Sequence, residues 1–272
     1  MITSSGCQVL ATVKSYVSEY ITSPKNMELE IKIGEISDID DKLFHLGYRH
    51  PRVLDIVGSL IQRLGNMAQL KNNWESVPQY HMIRVWHAEN IRQTCRVTNN
   101  DTKTTEEVHH IKSQYRNTYI RTSRPQDLQI VMSSITELPK AFRRKPIKVR
   151  AVLEQQKPHC MEIVQRASFI ETIGYGKPRE MQFKLKYDIS KVSAPGKNKF
   201  ECTMGEATYQ CELELYQTPD FPRDMSGNMK QDVITYISRV FLSRAKSLLG
   251  TTIRKHTETY EKLPQCQVSI SN

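Results

Sequence analysis

Met27-Glu28-Leu29-Glu30-Ile31-Lys32-Ile33 alternates carboxylate with aliphatic side chains over a β-rich run. Along a strand, successive side chains leave opposite faces. Glu28 and Glu30 therefore share one face, and Leu29, Ile31 and Ile33 share the other. Far along the chain, Cys211-Glu212-Leu213-Glu214-Leu215 repeats the pattern. Either segment alone reads equally as an amphipathic strand with a wet outer face. Two acidic rows turned into an enclosed space would instead repel each other unless a cation sat between them. All-oxygen ligation suits Mg²⁺ or Mn²⁺. Glu28, Glu30, Glu212 and Glu214 are the metal-ligand candidates on that reading, which the basic character of the rest of the chain favours.

The chain has 272 residues, enough to bury a full core. It is 38% apolar and 25% charged, as ordinary globular proteins are, with 39 Lys and Arg against 29 Asp and Glu, a net charge of +10. That excess points to a polyanionic partner: nucleic acid, nucleotide or polyphosphate. No apolar run reaches the roughly 18 residues that a membrane span needs, so no membrane association is expected. The first residues lack the basic and apolar regions of a signal peptide. The six cysteines (Cys7, Cys95, Cys160, Cys202, Cys211 and Cys266) form no CxxC pair, which suggests free thiols in a reducing compartment. The eight histidines lack metal spacing; His109 and His110 are adjacent and would face opposite ways on a strand.

Leu10, Val13, Val17 and Ile21 recur at helical spacing and predict a helix over 7–21, ended by Ser23-Pro24. Pro51 and the stripe Val53, Ile56, Val57, Leu60, Ile61 and Leu64 predict a second helix over 51–65. Alternating runs then predict strands at 81–87, 92–98, 107–121, 127–138, 147–154, 161–173, 180–190 and 206–217. Turn clusters such as Thr98-Asn99-Asn100-Asp101 and Ser193-Ala194-Pro195-Gly196-Lys197-Asn198 separate them. A last helix is expected over 229–249, with Gly250 as its stop and 251–272 as a polar tail. The expectation is a single α+β domain over 1–250: a closed antiparallel eight-stranded β-barrel, its strands within 27–217, with flanking helices.

The middle strands carry cations in alternation. Arg92, Thr94 and Arg96 share a face; Lys112 sits mid-strand; Arg166 and Ser168 share a face; Lys184, Lys186, Asp188 and Ser190 share a face. Such alternation suits an outer surface. It also suits a barrel interior holding a phosphate chain, with a divalent metal bridging it to carboxylates.

The order of these segments resembles the fungal, protozoan and viral type of RNA 5′-triphosphatase, within the triphosphate tunnel metalloenzyme superfamily. Glu28-Leu29-Glu30-Ile31-Lys32-Ile33-Gly34 is similar to its first metal-binding strand, and Cys95-Arg96-Val97-Thr98 to its Arg-Val-Thr strand end. Lys112 falls where the next strand carries a tunnel lysine. Asp127-Leu128-Gln129-Ile130-Val131, running on to Glu137-Leu138-Pro139, resembles a strand ending in a tunnel glutamate. Arg166-Ala167-Ser168-Phe169, Asp188-Ile189-Ser190-Lys191-Val192 and Glu212-Leu213-Glu214 resemble the later segments, so the match spans roughly 28–216 in order. The resemblance implies a triphosphate tunnel that removes the γ-phosphate of 5′-triphosphate RNA to leave a diphosphate end for mRNA capping. Glu28, Glu30, Glu212 and Glu214 would hold Mg²⁺ or Mn²⁺. Arg96, Lys112 and Arg166 would clamp phosphates, Lys184 and Lys186 would assist, and Glu137 would orient the attacking water.

Departures from the pattern are specific. The Arg-x-Ser strand usually begins Arg-x-Lys-x-Arg, but here Glu162 and Val164 stand at the first two positions; the closing strand has Gln210 where a first glutamate is common. Lys184 and Lys186, or Lys148 and Arg150, are the candidates to replace the missing charge. His159-Cys160-(five residues)-Arg166 matches the skeleton of a cysteine phosphatase loop. Such a loop favours glycine, however, and Met161-Glu162-Ile163-Val164-Gln165 has none and reads as strand. No Lys-x-Asp-Gly nucleophile motif is present, so a separate RNA guanylyltransferase is the implied partner, with the nucleus, or a virus's own site of transcription, as the implied location. Homodimerisation stays open. Two alternatives remain: the same tunnel acting on nucleoside triphosphate or tripolyphosphate, and a non-catalytic RNA-binding barrel in which Trp86, Tyr115 and Tyr119 stack on bases.

Overall fold

Leu29, Ile31 and Ile33 are all at most 2% exposed, and they point away from the lumen of a closed sheet into a layer of helices. That inversion organises the molecule. The computed structural model describes residues 2–3, 6–23, 26–35, 53–97, 104–121, 127–155, 160–176, 181–193, 207–221 and 225–260. The chain runs β1 (Ile2–Thr3), α1 (Gly6–Thr22), β2 (Met27–Gly34), α2 (Val53–Leu70), β3 (Trp74–Trp86), β4 (Ile91–Val97), β5 (Thr104–Arg121), β6 (Asp127–Glu137), α3 (Ile147–Glu154), β7 (Cys160–Tyr175), β8 (Met181–Ser193), β9 (Thr208–Gln217) and α4 (Gly227–Tyr260).

Eight strands pair in the order β5-β4-β3-β7-β8-β9-β2-β6, and β5 pairs with β6 to close the ring. Every pairing in the ring is antiparallel; β1 adds to β5 in parallel. The expected closed eight-stranded architecture with flanking helices is present. Closure leaves no edge strand within the ring to template aggregation.

The main core lies outside the ring. Leu29, Ile31 and Ile33 of β2, Leu128, Ile130 and Met132 of β6, Phe183, Leu185, Tyr187 and Ile189 of β8, and Leu213 and Leu215 of β9 meet helix residues. These include Val13, Tyr16 and Val17 of α1, Leu60 and Leu64 of α2, and Val233, Ile237 and Phe241 of α4. Each such side chain contributes about 1.5–3 kcal/mol by leaving water. Because side chains alternate, burying this face against helices turns the intervening polar residues into the lumen. No helix among the described residues is long and apolar enough to cross a membrane.

Three local expectations are corrected. Residues 147–154 form a helix, not a strand: Val149 packs with Val152 and Leu153 against Ile91 and Leu138, an i, i+3, i+4 stripe that also reads as alternation over so short a run. The strand expected at 81–87 begins at Trp74, with a register shift between Val77 and Tyr80, around Pro78, that breaks the alternation. The last helix passes through Gly250 to Tyr260; a lone glycine costs about 1 kcal/mol in a helix and does not end it. Pro24, Pro51, the turn residues 98–101 and 194–198, Cys202, Cys266 and the tail from 261 onward lie outside the described residues.

Candidate active site

The pairing of β2 with β9 sets Glu30 opposite Glu214 and Lys32 opposite Glu212. The two glutamate segments quoted at the outset are thus neighbours, with their charged faces on the same side of the sheet. They line a cavity of about 340 Å³, within the range of small-ligand sites. Its acidic lining is Glu28, Glu30, Glu162, Asp188, Glu212 and Glu214; its basic lining is Lys32, Arg84, Arg92, Lys112, Arg166 and Lys186. Met82, Trp86, Thr94 and Gln210 complete it.

Most of these charges are tied together. Lys112 Nζ donates to Glu28 Oε2 at 2.8 Å and stands 3.7 Å from Glu30 Oε1. Lys32 Nζ lies 2.9 Å from Glu212 Oε1 and 3.6 Å from Glu30 Oε2. Arg166 donates through Nη1 to Asp188 Oδ2 at 2.7 Å, through Nη2 to Glu212 Oε2 at 3.3 Å, and through Nε to Ser190 Oγ at 2.9 Å. Lys186 Nζ bridges Asp188 Oδ2 at 2.9 Å and Glu214 Oε2 at 3.5 Å.

Glu212 and Glu214 therefore differ in kind. Burial opposes ionisation of Glu212, but Lys32, Arg166 and Arg84 outweigh it and hold the carboxyl well below the usual range. Glu214 has only Lys186 to help it. Burial, with repulsion from Glu28, Glu30 and Asp188, pushes its carboxyl up to about 7. Glu30 Oε2 is buried without a hydrogen-bond donor. The ammonium groups nearest to these two carboxylates stand 3.5–3.7 Å away, beyond hydrogen-bond reach. Among the described residues no three His, Cys, Asp or Glu side chains converge as a ready-made metal cage; lysine ammonium groups stand between them instead. Glu28, Glu30 and Glu214 supply hard oxygen donors, one of them an acceptor without a hydrogen-bond donor, and that donor chemistry fits a small divalent cation. Glu212 is already satisfied by three cationic neighbours.

The remaining sequence candidates are placed unevenly. Lys112, Arg166 and Lys186 line the cavity. Lys184 shares their strand face but lies beyond the described lining, its Nζ 3.9 Å from Glu75 Oε1. Glu137 is exposed at the end of β6, opposite His110, and the described lining does not include it. Arg96 lies on β4 two residues beyond Thr94, opposite Met82; its side chain falls outside the described residues. Lys148 and Arg150 ride on α3, away from the lining. The positive charge absent from positions 162 and 164 comes from β3 and β4: Arg84 sits directly opposite Glu162, its Nη1 4.0 Å from Glu162 Oε2, and Arg92 lies on the next strand. Val164 packs with Met82 and Val192 as an apolar stretch of the wall. Lys32 was hidden by its role as a mere companion of Glu28 and Glu30, although equal parity puts it on their face.

Cys160 opens strand β7, and burial and the charge of Glu162 both raise its thiol pKa. Extended backbone and a protonated thiol are the opposite of a phosphate-cradling nucleophile loop. Cys7, Cys95, Cys160 and Cys211 are free thiols.

A closed antiparallel ring with a polar lumen and its apolar core outside, under helices, defines a tunnel-fold protein. The S. pombe Pct1 RNA triphosphatase shares this fold: TM-score 0.58 at 10% identity, covering 92% of this chain and 94% of that one. Pct1 solved in complex with the Spt5 CTD matches at TM-score 0.52 and 10% identity, covering 88% and 91%. The Mimivirus capping enzyme triphosphatase matches at TM-score 0.47 and 11% identity, covering 88% and 99%. No family model matches the sequence, and no curated protein does. The resemblance expected from the ordered segments is met at the level of the fold.

Proposed function

We propose that this chain is an RNA 5′-triphosphatase of mRNA capping, dependent on Mg²⁺ or Mn²⁺. The observation that carries the reading is the cross-strand pair Glu30–Glu214, which lines a cavity that also holds six lysine and arginine side chains. A bound divalent ion would supply Lewis-acid polarisation of a γ-phosphate oxygen. Glu28, Glu30 and Glu214 would hold it. The fold shared with Pct1 supports this chemistry, and the +10 charge favours a polyanionic chain end.

Lys112, which pairs with Glu28 and Glu30, would be free to meet phosphate oxygens where those carboxylates held a cation, while Lys186 keeps Asp188 as its partner. Arg166 is held by Asp188, Glu212 and Ser190. A guanidinium pinned on two sides needs no reorganisation to meet charge developing on the transferred phosphoryl group. Glu212 and Asp188 act as positioning residues for Lys32, Lys186 and Arg166. Arg96, of equal parity with Arg92 and Thr94 on β4, would belong to the phosphate clamp. Water attacks the γ-phosphorus, the bond to the β-phosphate bridging oxygen breaks, and inorganic phosphate and a diphosphate end leave. Glu137, open to solvent at the strand end, is given no part in orienting that water. A separate RNA guanylyltransferase would consume the diphosphate end, in the nucleus or wherever a virus transcribes. Phosphate release from γ-labelled triphosphate RNA, with and without divalent metal, tests the reading; absence of release in Mg²⁺ and in Mn²⁺ rejects it.

A further inference from the structure

Around the ring, the β3–β4 pair lies diametrically across from the β2–β9 pair, three strand steps away in either direction. The acidic wall therefore faces a wall of different chemistry. On the inner face of β3–β4, Trp86 is paired with Arg92 and Arg84 with Thr94, and all four line the cavity. Arg92 stands out among the lumen cations. Among the described residues no carboxylate pairs with it; its guanidinium lies 5.7 Å from the centre of the Trp86 ring, and its Nε is buried without an acceptor. Arg84 lies 4.0 Å from Glu162 and near Glu212, yet burial, with Arg166 and Arg92 nearby, lowers its pKa to about 10. A donor without an acceptor, two mutually repelling guanidiniums and an indole on one tile call for an anion carrying an aromatic group.

We propose that the Arg84–Trp86–Arg92 tile is the seat of the nucleoside that carries the triphosphate: Arg92 and Arg84 take the phosphate nearest the ribose, and Trp86 stacks on the first base. This rests on the proposed triphosphatase reading and adds to it a recognition element for a nucleotide end as opposed to inorganic tripolyphosphate. The geometry is consistent with a phosphate chain running across the lumen from the carboxylate wall to this tile.

The test compares kcat/KM for three substrates on the full chain: tripolyphosphate, GTP and a short 5′-triphosphate oligoribonucleotide. The ratio of nucleotide to tripolyphosphate kcat/KM is expected to fall about tenfold in Trp86→Ala, in line with the worth of one stacked base, and less in Trp86→Phe, which keeps a ring. Should Trp86→Ala fail to fold, quenching of indole fluorescence in the unaltered chain serves in its place. GTP should quench more strongly than tripolyphosphate, and Trp86→Phe should lose the difference. An unchanged ratio, or equal quenching by both, overturns the proposal while leaving the triphosphatase reading intact. No turnover of any of the three by the unaltered chain overturns both. A drop confined to the oligoribonucleotide assigns the tile to an RNA end; an equal drop for GTP assigns it to any nucleoside triphosphate.

Discussion

At the scale of single residues, the lumen separates carboxylates paired with lysine ammonium groups alone from those also held by the Arg166 guanidinium. Glu30 and Glu214 belong to the first kind, and replacing either by alanine is expected to lower phosphate release by about 10²-fold or more while circular dichroism stays native. Asp188 and Glu212 belong to the second. Arg166→Ala would leave both buried, at 3% and 8% exposure, with one cationic partner fewer. That variant is expected to lose stability as well as turnover, read as a lower Tm beside lost phosphate release. Cys160→Ser is expected to keep full activity, because the thiol opens a strand and is held protonated; loss of turnover there would revive the cysteine-nucleophile reading. The sequence made the glutamates legible because two β-rich runs carried the same parity. Arg84 was hidden, since its strand mates on the inner face, Met82 and Trp86, look like core residues. Parity groups residues but does not say which face is inside.

At the scale of elements, a short polar network within the apolar layer adds to the packing that holds the tunnel to its helical coat. Glu171 of β7, 2% exposed, accepts from Tyr187 Oη at 2.6 Å and from both Nε and Nη2 of Arg244 on α4, at 2.8 and 2.6 Å. Tyr187 in turn stacks on Trp74 at 5.0 Å. Arg244→Ala strands a buried carboxylate and is expected to cost about 2–3 kcal/mol, seen as a Tm lower by roughly 5–10 °C. Because the network lies on the helix side of the sheet, turnover per folded molecule should survive. Elements were readable where periodicity ran long. The eight residues of α3 and the bulged start of β3 were misread because about two turns of helix and a short strand satisfy the same few positions. No local pattern could reveal that β3 pairs with β7 or β2 with β9, since ring closure depends on contacts between strands far apart in the chain.

At the scale of the whole molecule, burying the apolar face outside the ring gathers opposite charges in its lumen. Paired charges there contribute little net stability, since desolvation offsets attraction. Their value lies in preorganisation. A cation that binds the folded chain alone stabilises it by mass action, about 2.7 kcal/mol at a hundredfold excess over Kd. Mn²⁺ is therefore expected to raise the Tm of the unaltered chain and to raise that of Glu30→Ala far less, a comparison that differential scanning fluorimetry reads without any substrate. The net charge of +10 should make RNA binding weaken steeply as salt rises, which a titration of affinity against salt concentration would show.

The central claim is that Glu28 and Glu30 on one strand and Glu214 on its neighbour together hold one divalent ion against a triphosphate end. The most direct test is release of labelled phosphate from γ-labelled triphosphate RNA by the unaltered chain and by Glu30→Ala, each with Mn²⁺ and with chelator. Release only by the unaltered chain with metal is the predicted result. Release that persists in chelator, or in Glu30→Ala at a comparable rate, would contradict it.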